Sequence, residues 1–214
     1  MFITLEGIEG SGKSTQIEHL IQLLEEKGHS CIRTREPGAT PIGEKIRDIL
    51  LNSENSALIP LAELLLYEAD RAQHVSQVIE PALATGKVVV SDRFFDATVV
   101  YQGYARGFDL AFIDAVHRQV LRGHRPDLTL LLDLPVETGL QRAWDRIANQ
   151  SAGLREDRFE LEDRAFHERV RQAYLTLAEA EPGRYRIVDA GRTPAQVRDE
   201  IARIVLEAME AGGS

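Results

Sequence analysis

Short apolar runs alternate along the chain with longer stretches whose apolar residues recur every three or four positions. Phe2-Ile3-Thr4-Leu5-Glu6 reads as a buried strand. From Ser14 to Lys27, Ile17, Leu20, Ile21 and Leu24 share one face of a helix. Ser30 to Thr34 is a second strand, and Arg35 to Pro41 is a loop punctuated by Pro37 and Gly38. A helix is predicted over 42–51, with Ile46, Ile49 and Leu50 apolar, before a polar connection over 52–56. Pro60 suits the first turn of a long helix running to about Ala84. Val88-Val89-Val90-Ser91 is the third strand, closed by Asp92-Arg93. Leu110 to Leu121 reads as helix, Leu128 to Asp133 as strand, and Val136 to about Ile147 as helix. Asn149 to Asp157 is polar and loop-like. A helix from about Leu161 to Ala180 follows, then a strand at Tyr185 to Val188. Thr193-Pro194 opens a last helix to about Met209, with proline at N1.

Apolar strands separated by helices imply an α/β fold: a five-stranded parallel sheet covered by helices on both faces. Gly7, Arg35, Asp92, Asp133 and Asp189 follow strands and so fall on one edge. Ligands bind beyond that carboxyl edge. The chain shows no internal repeat and no linker, so 1–214 is expected to form one domain.

Composition narrows the partners. The 214 residues carry 43% hydrophobic and 28% charged side chains, as an ordinary globular chain does. A formal net charge of −9 argues against non-specific binding to nucleic acid or to an anionic membrane. Any phosphate site must then be a local concentration of arginines. Cys31 is the single cysteine, which rules out an internal disulfide or a cysteine-based zinc cluster. No leader-like segment precedes the first strand, and no apolar run approaches the ~20 residues that span a bilayer. The cytoplasm is the expected compartment.

The chemistry starts at Gly7-Ile8-Glu9-Gly10-Ser11-Gly12-Lys13-Ser14, a match to G-x-x-x-x-G-K-[ST] between a strand and a helix. Glycines let backbone N–H groups converge on phosphate oxygens, and the helix N-terminus adds positive charge. Lys13 would reach the β- and γ-phosphates, and Ser14 would ligate Mg²⁺. The chain therefore binds a nucleoside triphosphate, with Gly7 to Thr15 as its phosphate loop. Asp92, at the end of an apolar strand, is favoured as the second Mg²⁺ residue, directly or through water. Asp133 has the same pattern, with helix capping as its alternative role. Arg35, Arg47, Arg71 and Arg93 would suit an acceptor that is itself a phosphate, since two polyanions must be brought together. Solvated helix faces and surface salt bridges are their alternative. A phosphate acceptor is largely dianionic at neutral pH, with a second pKa near ~6, and needs no base. Tyr67 and Arg71, four apart on a helix, would hold a flat base, or else serve as a core tyrosine and a structural arginine. Arg142, Arg146, Arg155, Arg158 and Arg164 surround a polar loop, which suggests a basic lid over roughly 142–160. Interleaved acids leave a helix hairpin of mixed charge as the other reading.

These residues resemble the bacterial thymidylate kinases over essentially the whole length. The resemblance rests on the phosphate loop with Glu9, Thr34-Arg35-Glu36-Pro37-Gly38, Tyr67 to His74, Asp92-Arg93-Phe94, Tyr101-Gln102-Gly103, Arg125-Pro126-Asp127-Leu128 and Asp157-Arg158. It implies a P-loop fold with a mobile lid that phosphorylates dTMP to dTDP with ATP and Mg²⁺, and a homodimer. It implies that Arg93, Arg35 and Arg47 clamp the acceptor phosphate and that Tyr67, in place of the usual Phe, stacks on thymine. Arg71 would bind a thymine carbonyl, Thr98 and Gln102 would read the base edge, and Tyr101 would lie near the sugar. Glu9 would meet the 3′-hydroxyl, and Arg142 would pack on adenine. A lid arginine would supply charge to the transferring group. Ala39 and Ala97 depart from the usual Gly and Ser, and a longer stretch at Ala148 to Gly153 leaves Arg146 and Arg155 both in that role. The rivals are a P-loop kinase for another monophosphate or for a deoxynucleoside, and a switch GTPase. No Asn-Lys-x-Asp motif is present for the GTPase. Glu9 is a carboxylate in a loop built to attract anions, so it is expected to face across the cleft to the acceptor's sugar. No arginine lies between Gly7 and Gly12, so cationic help beyond Lys13 must come from the lid.

Overall fold

A computed structural model describes residues 1–149 and 158–212. Five strands, β1 (Phe2–Glu6), β2 (Cys31–Arg35), β3 (Val88–Asp92), β4 (Leu128–Asp133) and β5 (Tyr185–Asp189), form one sheet in the order β2-β3-β1-β4-β5. Every pairing is parallel. The registers Leu5↔Asp92, Arg35↔Asp92 and Asp133↔Asp189 bring the strand ends level, as the sequence predicts. The chain leaves β1 toward β2 on one side and later reaches β4 and β5 on the other. The strand order thus reverses at the phosphate-loop end of β1, where parallel sheets open a crevice.

Burial explains why these runs are strands. All five β1 residues are buried. Ile3, Leu5, Val88 and Val90 join a core with Ile17, Leu20, Val170 and Val205. Phe2 and Val89 point the other way, to Val75, Ile79, Phe94 and Leu121. Two cores on two faces are what near-continuous apolar strands require.

The helices are α1 (Lys13–Glu26), α2 (Pro41–Leu51), α3 (Pro60–His74), α4 (Glu80–Ala84), α5 (Phe95–Thr98), α6 (Leu110–Val120), α7 (Val136–Ala148), α8 (Arg164–Ala180) and α9 (Pro194–Gly212). Three expectations change. The single helix over 60–84 is interrupted by a π-helical turn, Val75–Ile79. Pro81 has no N–H to give residue 77 and its ring crowds that carbonyl, so a widened turn relieves the conflict. Between 94 and 109, where the apolar pattern predicts no element, α5 continues into a second π-helical stretch, Val99–Ala105. The helix expected from Leu161 begins at Arg164, because the Asp163 side chain caps it by accepting from Phe166 N at 2.6 Å. No helix among the described residues is long and apolar enough to cross a membrane.

Candidate active site

One cavity of about 880 Å³ opens over the carboxyl edge of β1, β2 and β3. From the phosphate loop it is lined by Glu9 through Thr15. Arg35, Arg47, Tyr67 and Arg71 line it from β2, α2 and α3. Asp92, Arg93, Thr98, Tyr101 and Gln102 line it from β3 and the helical stretch that follows. Arg142 and Arg146 on α7 close the remaining side. The sequence-predicted residues thus meet in one place, with three exceptions. Gly7 and Ile8 lie behind the lining, Ile8 with its side chain in the core. Arg155 lies outside the described residues.

The loop's shape follows from its glycines. Gly7 has φ 137°, and a Cβ there would sit 2.5 Å from Leu132 O. At Gly10, φ 71°, a Cβ would meet Gly139 O at 2.1 Å. Only glycine lets the loop pack this closely on β4 and α7. Lys13 Nζ donates to Gly7 O and Ile8 O at 3.0 Å and to Ser11 Oγ at 3.3 Å. Burial, then the nearby Arg93 charge, push this ammonium down to about 8, against the pull of Asp92 and Glu9.

The structure separates the two aspartates that the sequence leaves open. Ser14 Oγ donates to Asp92 Oδ2 at 3.2 Å. Asp133 is held by Arg171 in a two-pronged pair of 2.7 and 2.8 Å and lies away from the cavity lining. A hydroxyl and a carboxylate at the mouth of the phosphate loop are hard oxygen donors, and Ser14 with Asp92 fit Mg²⁺.

Arg93 sits at φ 68°, an uncommon conformation for a residue with a side chain. Its Nη2 donates to Glu9 Oε1 at 3.1 Å and its Nη1 to the Tyr174 hydroxyl at 3.0 Å. Its guanidinium lies 5.0 Å from the Tyr101 ring centroid. Glu9 also accepts from Tyr101 Oη at 2.5 Å, and its Oε2 lies 3.3 Å from His167 Nδ1. Burial opposes the charge on Glu9, but His167, Arg93 and Tyr101 overcome it and hold the carboxyl well below its usual range. Glu9 thus turns from the loop across the cleft toward Arg93 and Tyr101.

Three supporting groups escaped the sequence reading. Glu6, 0% exposed, accepts from Phe94 N at 2.8 Å and Tyr174 Oη at 2.6 Å. Burial and Asp96 push its carboxyl up to about 7. A charged residue inside an apolar strand next to the phosphate loop was the available signal. Tyr174 and His167, two turns apart on α8, had none beyond their shared face.

Arg71 departs from the simple base-reading picture. It is 1% exposed, with Nε donating to Glu36 Oε2 at 2.8 Å, Nη1 paired with Glu68 and Nη2 reaching Phe94 O at 3.3 Å. It touches the cavity, and with Nη1 held at Glu68 and 3.5 Å from His117 Nε2, an Nη2 N–H remains to offer a ligand. Glu36 also pairs with His74 Nδ1 at 2.8 Å, so the Arg-Glu-Pro-Gly loop is tied to α3. Arg47 donates to Pro37 O at 2.9 Å and Arg35 to Gly38 O at 3.5 Å, which holds both beside that loop.

The arginines over 142–164 are paired in part, and of the acids interleaved with them Glu160 is the one that pairs with them among the described residues. Arg146 pairs with Glu160 at 3.0 Å, and Arg164 pairs with Glu137 and Glu168. Arg158 donates to Leu50 O at 3.0 Å and to Glu63 at 2.6 Å. Arg142 reaches Ala190 O at 3.2 Å, beside the loop after β5.

Residues 5–201 match the family model described as thymidylate kinase. The chain is 56% identical over 197 residues to the thymidylate kinase of Desulfosudis oleivorans, covering 92% of each chain. It is 55% identical over 206 residues to that of Trichlorobacter lovleyi, covering 96% of this chain and 97% of the relative. It superposes on the crystal structure of thymidylate kinase from Ehrlichia chaffeensis with a TM-score of 0.75 and 32% identity, over 96% and 98% of the two chains. The chain belongs to the thymidylate kinase family, the kinases that convert dTMP to dTDP with ATP and Mg²⁺.

Proposed function

We propose that this cavity holds both substrates at once, ATP at the phosphate loop and dTMP between Arg93, Arg47 and Gln102. The observation that carries the reading is the placement of Glu9. Its carboxylate belongs to the phosphate loop yet is bound by Arg93 and Tyr101 on the far wall. One loop therefore serves two ligands.

A dTMP phosphate oxygen attacks the γ-phosphorus in line. A new O–P bond forms, the bond to the β-phosphate oxygen breaks, and ADP leaves with that electron pair. The dianionic acceptor needs no general base. Lys13 turns from Gly7 O and Ile8 O to the phosphates, and Arg93, Arg35 and Arg47 hold the acceptor. Ser14 and Asp92 would hold Mg²⁺, which would supply neutralising charge to the triphosphate. Arg146 or Arg155 completes the neutralisation as the lid, 142–160, closes. Tyr67 stacks on thymine, Arg71 donates its remaining Nη2 N–H to a carbonyl, and Thr98 and Gln102 read the base edge. Glu9 accepts from the 3′-hydroxyl, Tyr101 crowds a 2′-substituent, and Arg142 packs on adenine.

The chain works as one domain in the cytoplasm. Leu61 and Leu65 on α3 and Phe112 on α6, large apolar side chains left open, support a homodimer.

ADP release with ATP and a panel of monophosphates, each also offered as its nucleoside, tests the assignment. Preference for dTMP and no turnover of thymidine are expected. Arg93→Ala should lower kcat/KM for dTMP by about a hundredfold or more while leaving ATP affinity nearly intact. Equal loss of both would remove Arg93 from the acceptor clamp.

A further inference from the structure

Glu63 is fully buried on α3, yet nothing in the phosphoryl-transfer chemistry calls for it. Its carboxylate gathers three donors. Arg106 Nε donates to Oε1 at 2.7 Å, Arg158 Nη2 to Oε2 at 2.6 Å, and Gln102 Nε2 to Oε1 at 2.8 Å. Arg106 adds a second bond to Oε2 at 3.1 Å. A carboxylate between two guanidiniums accepts hydrogen bonds and donates none. It can therefore meet only the NH₂ end of the Gln102 amide.

This settles an orientation that an amide alone leaves free, because its two ends are nearly the same shape. With Nε2 committed to Glu63, the Gln102 end left for the cavity is Oε1, an acceptor. Gln102 is 1% exposed and lines the cavity, and its Oε1 accepts no hydrogen bond from the described residues. Thr98 lies four residues earlier on the same helical stretch. Its Oγ1 is buried without a partner and also belongs to the cavity wall. An unsatisfied hydroxyl and a committed acceptor side by side describe a base-edge subsite waiting for a ligand.

We propose that Glu63 is a specificity-positioning residue: by holding Gln102 with its oxygen toward the base, it selects a pyrimidine that carries a proton on N3. Thymine has N3–H and donates to Oε1. Cytosine has a lone pair at N3 and would face another lone pair. Without Glu63 the amide can turn over and present its NH₂ group, which cytosine N3 accepts. The inference rests on the assignment of Gln102 to the base edge.

The probe pair is dTMP and 5-methyl-dCMP, which share the methyl group, sugar and phosphate. Their ratio of kcat/KM is read in three proteins. Any part of that ratio owed to Arg71 at C4 is common to all three. Glu63→Gln should narrow the ratio by about tenfold or more, with turnover of 5-methyl-dCMP rising in absolute terms. General damage to the fold would lower both rates and could not raise one. Gln102→Ala should also narrow the ratio, because the opposed lone pair is gone. If Gln102→Ala leaves the ratio unchanged, Gln102 does not read the base, and the site assignment fails together with the inference. If Gln102→Ala narrows it while Glu63→Gln retains the unaltered protein's ratio, the role of Glu63 is overturned and the base-edge assignment stands. Should Glu63→Gln not fold, Glu63→Asp keeps the charge for Arg106 and Arg158 but withdraws it by one methylene. A narrowed ratio there supports the proposal, and an unchanged one overturns it.

Discussion

Replacing Tyr174 with Phe removes one oxygen and leaves the packing alone. The hydroxyl donates to Glu6 Oε2 at 2.6 Å and accepts from Arg93 Nη1 at 3.0 Å. The ring keeps its place beside Tyr101, 6.4 Å between centroids. The cost therefore lies in two hydrogen bonds to charged groups, each worth about 1.5–3 kcal/mol. Glu6 limits that cost. Burial and Asp96 already push its carboxyl from the ordinary 4.5 up to about 7, and the Tyr174 hydroxyl is among the contacts that restrain it. In the variant Glu6 titrates higher still. A carboxyl whose folded pKa exceeds its unfolded one favours the fold at low pH, and that contribution is lost as pH rises through the folded value. At pH 5.5 Glu6 is neutral in both proteins, so one lost bond is to a neutral group at about 1 kcal/mol and the other to Arg93 at about 1.5, and the variant should lose about 2.5 kcal/mol. At pH 8 the unaltered protein carries the charge with its donor in place, and the loss should reach about 4 kcal/mol. At about 2–4 °C per kcal/mol for a chain of this length, the melting temperature should fall by ~8 °C at pH 5.5 and ~12 °C at pH 8. Arg93 keeps Glu9 but loses its second tether, so kcat/KM for dTMP should fall about tenfold while ATP affinity holds. Calorimetry at the two pH values and an ADP-release assay read both effects. An equal drop in melting temperature at both pH values would refute the role given to Glu6. An unchanged kcat/KM would refute the role given to Tyr174 in holding Arg93.

The two aspartates make a matched pair. Asp92→Asn should lower kcat about a hundredfold and raise the Mg²⁺ concentration needed for half-maximal rate, with little change in melting temperature. Asp133→Asn should do the reverse, losing about 1 kcal/mol of stability with its partly exposed Arg171 pair and keeping kcat. If Asp133→Asn is the inactive one, the metal assignment is wrong. For the lid, Arg146→Ala and Arg155→Ala compared at saturating substrates should give one variant with kcat reduced about a hundredfold. Equal, small effects in both would show that neither arginine meets the transferring group.

Much of the architecture was legible in the chain. Five strands, their parallel order of burial and the edge to which Gly7, Arg35 and Asp92 come follow from apolar runs between helical periods. Those signals are local, and local signals survive in sequence. The phosphate loop is likewise contiguous, so Lys13, Ser14 and the strained glycines read out together. The segment 94–109 did not read out. Its π-helical turns depart from the 3.6-residue period that makes a helix visible, and they are what swing Tyr101 and Gln102 onto the cavity wall.

What tertiary structure alone decided is which charges remain available. Asp92 and Asp133 look alike in sequence, each an acid closing an apolar strand. Only folding brings Arg171 from α8 onto Asp133 and leaves Asp92 beside Ser14. Arg71 and Arg93 are both arginines near a strand end. One is enclosed by Glu36 and Glu68, and the other faces Glu9 across the cleft. Glu6, Tyr174, His167 and Glu63 become part of the site only because elements more than 30 residues apart meet there. A residue's chemical type is written in the chain. Its free valence depends on which partner arrives through space, and sequence order carries no record of that.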